Sequence, residues 1–382
     1  MRILALASVP LLLASLPGCA DRTLDSDATL VISNVNIVDV EDGMILEDRA
    51  ISIDGDRIGA ITSSDEVAPS ERVVDGGGRY VIPGLWDMHV HLGIWDWETA
   101  FPAFLKAGVL GVREMGWAID EPVALRDRVV SGEVLGPRMV VAGATLDGPT
   151  DDWPFRITIE SVDDVAPTLR LLEEAGVDFL KVHQQLSGDV YHEIAKEASI
   201  RGLSFVGHVP NEITAIDASN AGQASIEHLI MPWCDFDESG ACTTHETNET
   251  VGAFLRNGTW AVPTMAVYLS NYQMFVEPDQ LETRRGLAST QVVEHWAFQA
   301  RVNEQFLPPA EDREAMFREV YRSAQRMLVH LVDSDVDLMT GTDTGFLQVY
   351  PGASLHDELS VWVEAGVSPL ETLQAATLQP AR

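Results

Sequence analysis

The sequence predicts an α/β protein, a closed (β/α)8 barrel of the TIM-like kind led by a small all-β unit. Three patterns in the 382 residues carry that expectation. Residues 29–80 alternate apolar and polar groups in short runs broken by turns. From Val81 onward, short β-branched runs alternate with amphipathic helical stretches, the signature of parallel strands joined by crossover helices. Eight such runs end near His91, Glu114, Ala144, His183, His208, His228, Thr264 and Asp343, and eight strand-helix units close a ring.

The chain opens on Met1-Arg2, followed over residues 3–16 by an apolar core too short to span a bilayer with a stop-transfer flank. Residues 1–19 therefore read as a secretory signal. It ends in Leu16-Pro-Gly-Cys19, the pattern of a bacterial lipobox in which Cys19 is lipidated; an ordinary cleaved signal is the alternative. The expectation is an exported, periplasmic lipoprotein of a bacterium, held at the outer membrane only through its lipid. An oxidising compartment suits a local disulfide between Cys234 and Cys242, which flank the polar segment 235–241; unpaired thiols are disfavoured there because the loop offers little apolar burial.

The all-β unit, residues 29–80, carries Leu30-Val-Ile, Asn36-Ile-Val-Asp-Val and Ala50-Ile-Ser-Ile-Asp-Gly-Asp as its strand-like runs. Residues 81–382 form the barrel, with helices such as 162–175 and 190–201 between strands. Between strands seven and eight, residues 279–332 are polar and helix-favouring with Pro308-Pro309 inside, which reads as a helical excursion. A net charge of −34, from 59 acidic and 25 basic residues, repels phosphate backbones and excludes nucleic acid as a partner. Lysine occurs only at positions 106, 181 and 196.

The chemistry begins at residues 81–92, VIPGLWDMHVHL. In a strand, residues i and i+2 share a face, so His89 and His91 point into one site with Val90 turned away. Such a pair alone is weak, since strand histidines are often merely packed. Other metal-capable side chains, however, fall at strand ends, where barrel enzymes place their chemistry. Strand four ends Phe179-Leu-Lys181-Val-His183; a lysine in an apolar strand is costly, and burial favours its neutral, modifiable amine. Strand five supplies His208, strand six His228 and strand eight Asp343.

The order His-x-His, Lys, His, His, Asp resembles the amidohydrolase superfamily. The resemblance runs through VIPGLWDMHVHLG, KAGVLGVREMG, GVDFLKVH, GHVP, GQASIEHL, GTWAVPTMAVY, GTDTG and SPLETLQAATLQPAR. It is nearest to the branch with imidazolonepropionase-like and metal-dependent Xaa-Pro dipeptidase-like enzymes, in which the barrel is joined to a β-sandwich built from both chain ends. The resemblance implies that His89, His91 and Asp343 hold a buried divalent metal, that His208 and His228 hold a more exposed one, and that Lys181, carboxylated by carbon dioxide to a carbamate, bridges the two. Zinc is the default. It further implies hydrolysis of a small amide, cyclic amide or dipeptide C–N bond by a metal-bridging hydroxide, with Asp343 as the catalytic proton shuttle. A lactonase or phosphotriesterase-type hydrolase is the alternative, and an inactive, truncated metal-binding surface lipoprotein the non-enzyme one. Relatives of this kind continue with strands that complete the sandwich, so an incomplete sandwich with an open edge is expected.

Softer candidates complete the reading. His183 shares the face of Lys181 and is placed near substrate, with support of a metal ligand as the alternative. Tyr268 is placed to hydrogen-bond a substrate carbonyl, with a packed aromatic as the alternative. Arg113 suits a substrate carboxylate, or else an acid of the barrel. His356 and Glu358 are expected to order the loop after strand eight, and Trp95 and Trp97 to pack helix on barrel, with walls of the pocket as the alternative. A homo-oligomer is compatible with the sequence.

Overall fold

The computed structural model describes residues 29–66, 70, 72–149, 155–229, 247–278, 288–304 and 307–382. The signal with Cys19, the Cys234 and Cys242 pair, and residues 279–287 and 305–306 of the helical excursion lie outside the described residues. The chain divides into two compact units, Met1–Asp39 with Gly43–Ile82, and Val40–Asp42 with Pro83–Arg382.

The first unit is a four-stranded sheet of β1 (Leu30–Val38), β2 (Ile45–Asp54), β3 (Arg57–Ser63) and β4 (Val73–Val81) in the order β3-β2-β1-β4. The β1–β2 and β2–β3 pairs are antiparallel and β1–β4 is parallel. Asp54 pairs with Arg57, leaving a two-residue turn whose first member, Gly55, sits at φ +60, a conformation that glycine adopts without penalty. Val31, Val35, Ala50 and Ile51 are buried, whereas Ile58, Ile61 and Val73 are exposed. Among the described residues the unit is one sheet; a second layer is not formed within it.

The second unit is a ring of parallel strands: β5 (Leu85–Val90), β6 (Val109–Glu114), β7 (Arg138–Val141), β8 (Thr145–Asp147), β9 (Arg156–Thr158), β10 (Leu180–Val182), β11 (Phe205–Gly207), β12 (Ser225–Glu227) and β13 (Trp260–Val262). Around them run α1 (Trp97–Lys106), α2 (Asp120–Val130), α3 (Val162–Ala175), α4 (Gly188–Arg201), α5 (Ala215–Asn220), α6 (Thr247–Asn257), α7 (Met265–Val276), α8 (Thr290–Glu304), α9 (Ala310–Asp333), α10 (Ala353–Ala365) and α11 (Pro369–Ala376). Local chemistry starts and stops them. Ser161 and Asp164 form a capping box ahead of α3, which ends on left-handed Gly176, and Ser368 with Glu371 does the same for α11. Pro308 and Pro309 precede α9, where a missing N–H costs nothing.

The predicted eight-stranded ring closes, with two irregularities. The third strand breaks between β7 and β8 at Gly143 (φ +68), so β7 pairs with β6 while β8 pairs with β10 and gains β9 as an additional neighbour. The eighth, residues 337–344, is ligatured rather than laddered: Met88 N donates to Thr340 O and His91 N to Thr344 O on one side, and Met339 N to Ala261 O on the other. Gly341 explains its close approach, because a Cβ there would meet Val262 Cγ1 at 2.6 Å and His89 Cβ at 2.9 Å. Leu180 and Val182 join the large core shared with α3 and α4, while Phe179 clusters with Met115, Ala142 and Val206. Strand alternation therefore turns Lys181 to the ring interior.

Candidate metal centre

β5 organises the site. Its pairing with β6 slips register between Asp87 and Val90, an irregularity of the kind that re-aims side chains. Asp87, fully buried, accepts from Thr342 N (2.9 Å), Thr342 Oγ1 (2.7 Å) and His89 N (3.3 Å), so one carboxyl sews the first strand to the eighth beside the histidines. Burial pushes that carboxyl up to about 7 despite the three donors.

His89 Nε2 and His91 Nε2 lie 3.4 and 3.2 Å from Asp343 Oδ1, and one ligand atom from each of the three residues falls within 4.8 Å of the others. All three are buried, and His89 Nε2 is buried without a hydrogen-bond partner. Burial, reinforced by Lys181 and neighbouring histidines, holds His89 well below the ordinary histidine value, so its ring is a neutral donor. Burial alone would raise the Asp343 carboxyl; the His91 hydrogen bond and electrostatic interaction with His228, His91 and Lys181 outweigh it and hold the group below its ordinary value.

Beside this trio, His228 Nε2 and His208 Nε2 face each other at 2.9 Å, and His228 Nδ1 meets Thr264 Oγ1 at 2.7 Å. His208 is held well below, and His228 down to about 4, chiefly by burial. His228, Thr264 and Asp343, at three successive strand ends, all adopt left-handed φ (64, 50 and 61), a strained conformation that clusters at functional sites. Lys181 is 1 % exposed, and burial lowers its amine to about 8. Neutral buried imidazoles, a carboxylate and a readily deprotonated amine compose a donor set suited to a divalent metal.

The softer candidates divide. His183 stacks on His208 with ring centroids 4.2 Å apart, and its Nδ1 is 2.9 Å from Asp147 Oδ2, whose other oxygen accepts from Gly148 N and Gln185 N. Tyr268 is buried on the first turn of α7 within the large core. Arg113 corrects the expectation of a substrate-carboxylate ligand. Its side chain turns into the barrel, where Nη2 donates to Glu227 Oε1 (2.8 Å), Nη1 to Ser225 Oγ (2.9 Å) and Nε to Met88 O (2.7 Å), leaving the fork engaged. His356 Nε2 bonds Ala107 O, and Glu358 accepts from Ala266 N and Trp362 Nε1, capping α7 next to Thr264. Trp95 packs with Trp296 of α8 and Tyr350, and Trp97 with Phe101 under Arg128.

Asp87, Asp147, Glu227 and Thr264 were not singled out from the sequence. Glu227 had the same signal as Lys181, a charged residue inside the apolar run Ser225-Ile-Glu-His228.

Similarity to known proteins agrees with this geometry. An imidazolonepropionase of Streptomyces avermitilis is 46% identical over 48 residues, 13% of this chain and 12% of that protein. An adenine deaminase of Rubrobacter xylanophilus is 36% identical over 70 residues, 18% of this chain and 12% of that protein. These alignments thus span about an eighth of each relative's length. A solved Xaa-Pro dipeptidase with bound methionine in its active site shares the fold at TM-score 0.66 and 21% identity, over 92% of this chain and 87% of that one. The Amidohydrolase family profile matches residues 80–382, the whole ring with its strand-end histidines and Asp343, and the chain belongs to that family.

Proposed function

We propose that this protein is an exported, lipid-anchored metal-dependent hydrolase that cleaves the C–N bond of a small amide, either a dipeptide with C-terminal proline or a related cyclic amide. The observation that carries the reading is the convergence of His89, His91 and Asp343, with His89 Nε2 buried and unpartnered in a cluster that a cation would complete. His89, His91 and Asp343 would hold one divalent ion, zinc by default, and His208 and His228 a second. Lys181, whose buried amine is lowered to about 8, would join them as its carbamate. Such ions supply Lewis acidity toward a carbonyl and an acidified water. Asp343, kept ionised beside His91, accepts the proton of the attacking water and returns it to the departing nitrogen, which makes that nitrogen a viable leaving group. His183, carried on Lys181's face and oriented by Asp147, is the side chain best placed to meet the substrate. Cys19 would carry the lipid. The names of the relatives, a dipeptidase, an imidazolonepropionase and a deaminase, support C–N chemistry.

The test is elemental analysis of purified protein prepared with bicarbonate and zinc, followed by a panel of Xaa-Pro dipeptides, cyclic amides and lactones. About two equivalents of metal and turnover of an amide are expected. Metal without hydrolysis of any amide sinks the reading.

A further inference from the structure

Beneath the metal centre lies a buried polar chain that the proposed hydrolysis does not use. Glu227, 1 % exposed at the end of β12, places Oε2 2.9 Å from His89 Nδ1. Its Oε1 accepts from Arg113 Nη2 (2.8 Å) and from Ser225 Oγ (2.5 Å). Arg113, 5 % exposed, also donates from Nε to Met88 O, the carbonyl immediately before His89. The arginine therefore braces both the backbone that carries His89 and the carboxylate that meets its ring.

We propose that Glu227 is a positioning residue: locked by Arg113 and Ser225, its carboxylate fixes His89 as the Nδ1–H tautomer and so aims the Nε2 lone pair at the position shared with His91 and Asp343. A carboxylate oxygen only accepts, so the nitrogen facing it carries the proton, and the far nitrogen is left as the donor. The partners of the neighbouring rings show the contrast. His91 Nδ1 faces the backbone carbonyl of Gly116 at 3.3 Å, and His228 Nδ1 a hydroxyl that suits either tautomer. At Nδ1, His89 thus meets a carboxylate where His91 faces a carbonyl and His228 a hydroxyl, and the carboxylate raises the basicity of the His89 Nε2. A Glu227 that served only to neutralise Arg113 would need no second oxygen on the imidazole. The arrangement also accounts for Arg113 inside the ring: without it the carboxylate would be buried uncompensated.

The inference rests on the metal-centre reading above. Its test uses the full mature chain with 15N-labelled histidine, stripped of metal, with His89 assigned by its loss in His89→Asn. Long-range proton–nitrogen spectra should show His89 as the Nδ1–H form, and Glu227→Gln should convert it to a mixture or to the other tautomer. Zinc affinity, measured by competition with a chromogenic chelator, should fall about 10- to 100-fold in Glu227→Gln. Arg113→Lys, which keeps the buried charge but loses the fork, should lower it in the same direction, and it carries the test if Glu227→Gln fails to fold. An unchanged tautomer with zinc affinity within about threefold of wild type, in either folded variant, overturns the role of Glu227. Wild-type protein that binds no zinc overturns the metal-centre reading instead, and the tautomer of the metal-free ring separates the two failures.

Discussion

His208 and His228 aim their Nε2 atoms at one another across 2.9 Å, although they arrive from the ends of different strands. Two neutral imidazoles in that arrangement share at most one proton, and a common cation would satisfy both lone pairs. His208→Ala should therefore lower bound zinc from about two equivalents to about one, read by elemental analysis. Unchanged content would remove this pair from the ligand set.

Asp343→Asn keeps the shape of the side chain and one oxygen toward His91, while removing the base. Metal content should stay within about half an equivalent of wild type, and kcat should fall by at least about 10²-fold. Activity close to wild type would exclude Asp343 as the proton shuttle.

Lys181→Ala should bind less zinc and lose any response to bicarbonate, whereas wild-type protein should take up more zinc as bicarbonate is added. Equal bicarbonate responses in the two proteins would argue against a carbamate.

Glu358 gives a pH signature independent of the metal. Burial pushes its carboxyl up to about 8, against hydrogen bonds from Trp362 and the start of α7. The folded state thus keeps a proton that the unfolded state releases near the ordinary carboxylate value. Stability from this group is fully present below that value and is lost as pH rises toward 8, by up to about 1.4 kcal/mol per pH unit. In urea titrations of metal-free protein between pH 5 and pH 8, Glu358→Leu should show a shallower decline than wild type. Parallel curves would refute the assignment.

Gly341→Ala would bring a Cβ within 2.6 Å of Val262 Cγ1, 2.9 Å of His89 Cβ and 3.0 Å of His89 N. Overpacking of this kind costs about 1–3 kcal/mol, and here it presses on His89, a proposed ligand. Both the melting temperature and the zinc affinity should drop; a fall in melting temperature alone would show that β5 yields without moving His89.

Much of the site was legible because strand ends impose a rule. His89 and His91 share a face by period-two geometry, and Asp343 closes the last strand beside them, so these residues converge once the ring does. Arg113 shows where that rule stops. It lies one residue short of a strand end, and whether such a side chain rises toward solvent or turns inward depends on an acid across the barrel, Glu227, more than a hundred residues away. The break at Gly143 and the bridge-only eighth strand were equally hidden, because both follow from how neighbouring strands meet.

Local order along the chain, in alternation, helix caps and the succession of histidines, lysine and aspartate, determined by itself the α/β ring and the residues at its mouth. Tertiary structure alone decided which nitrogen of each imidazole faces a partner, that Asp87 ties the first strand to the eighth, and that Glu227 and Arg113 stand beneath His89. The physical reason is range: periodicity is set by neighbours two to four residues apart, whereas a buried hydrogen bond across a barrel is settled only when distant strands close and every desolvated polar group must find its partner.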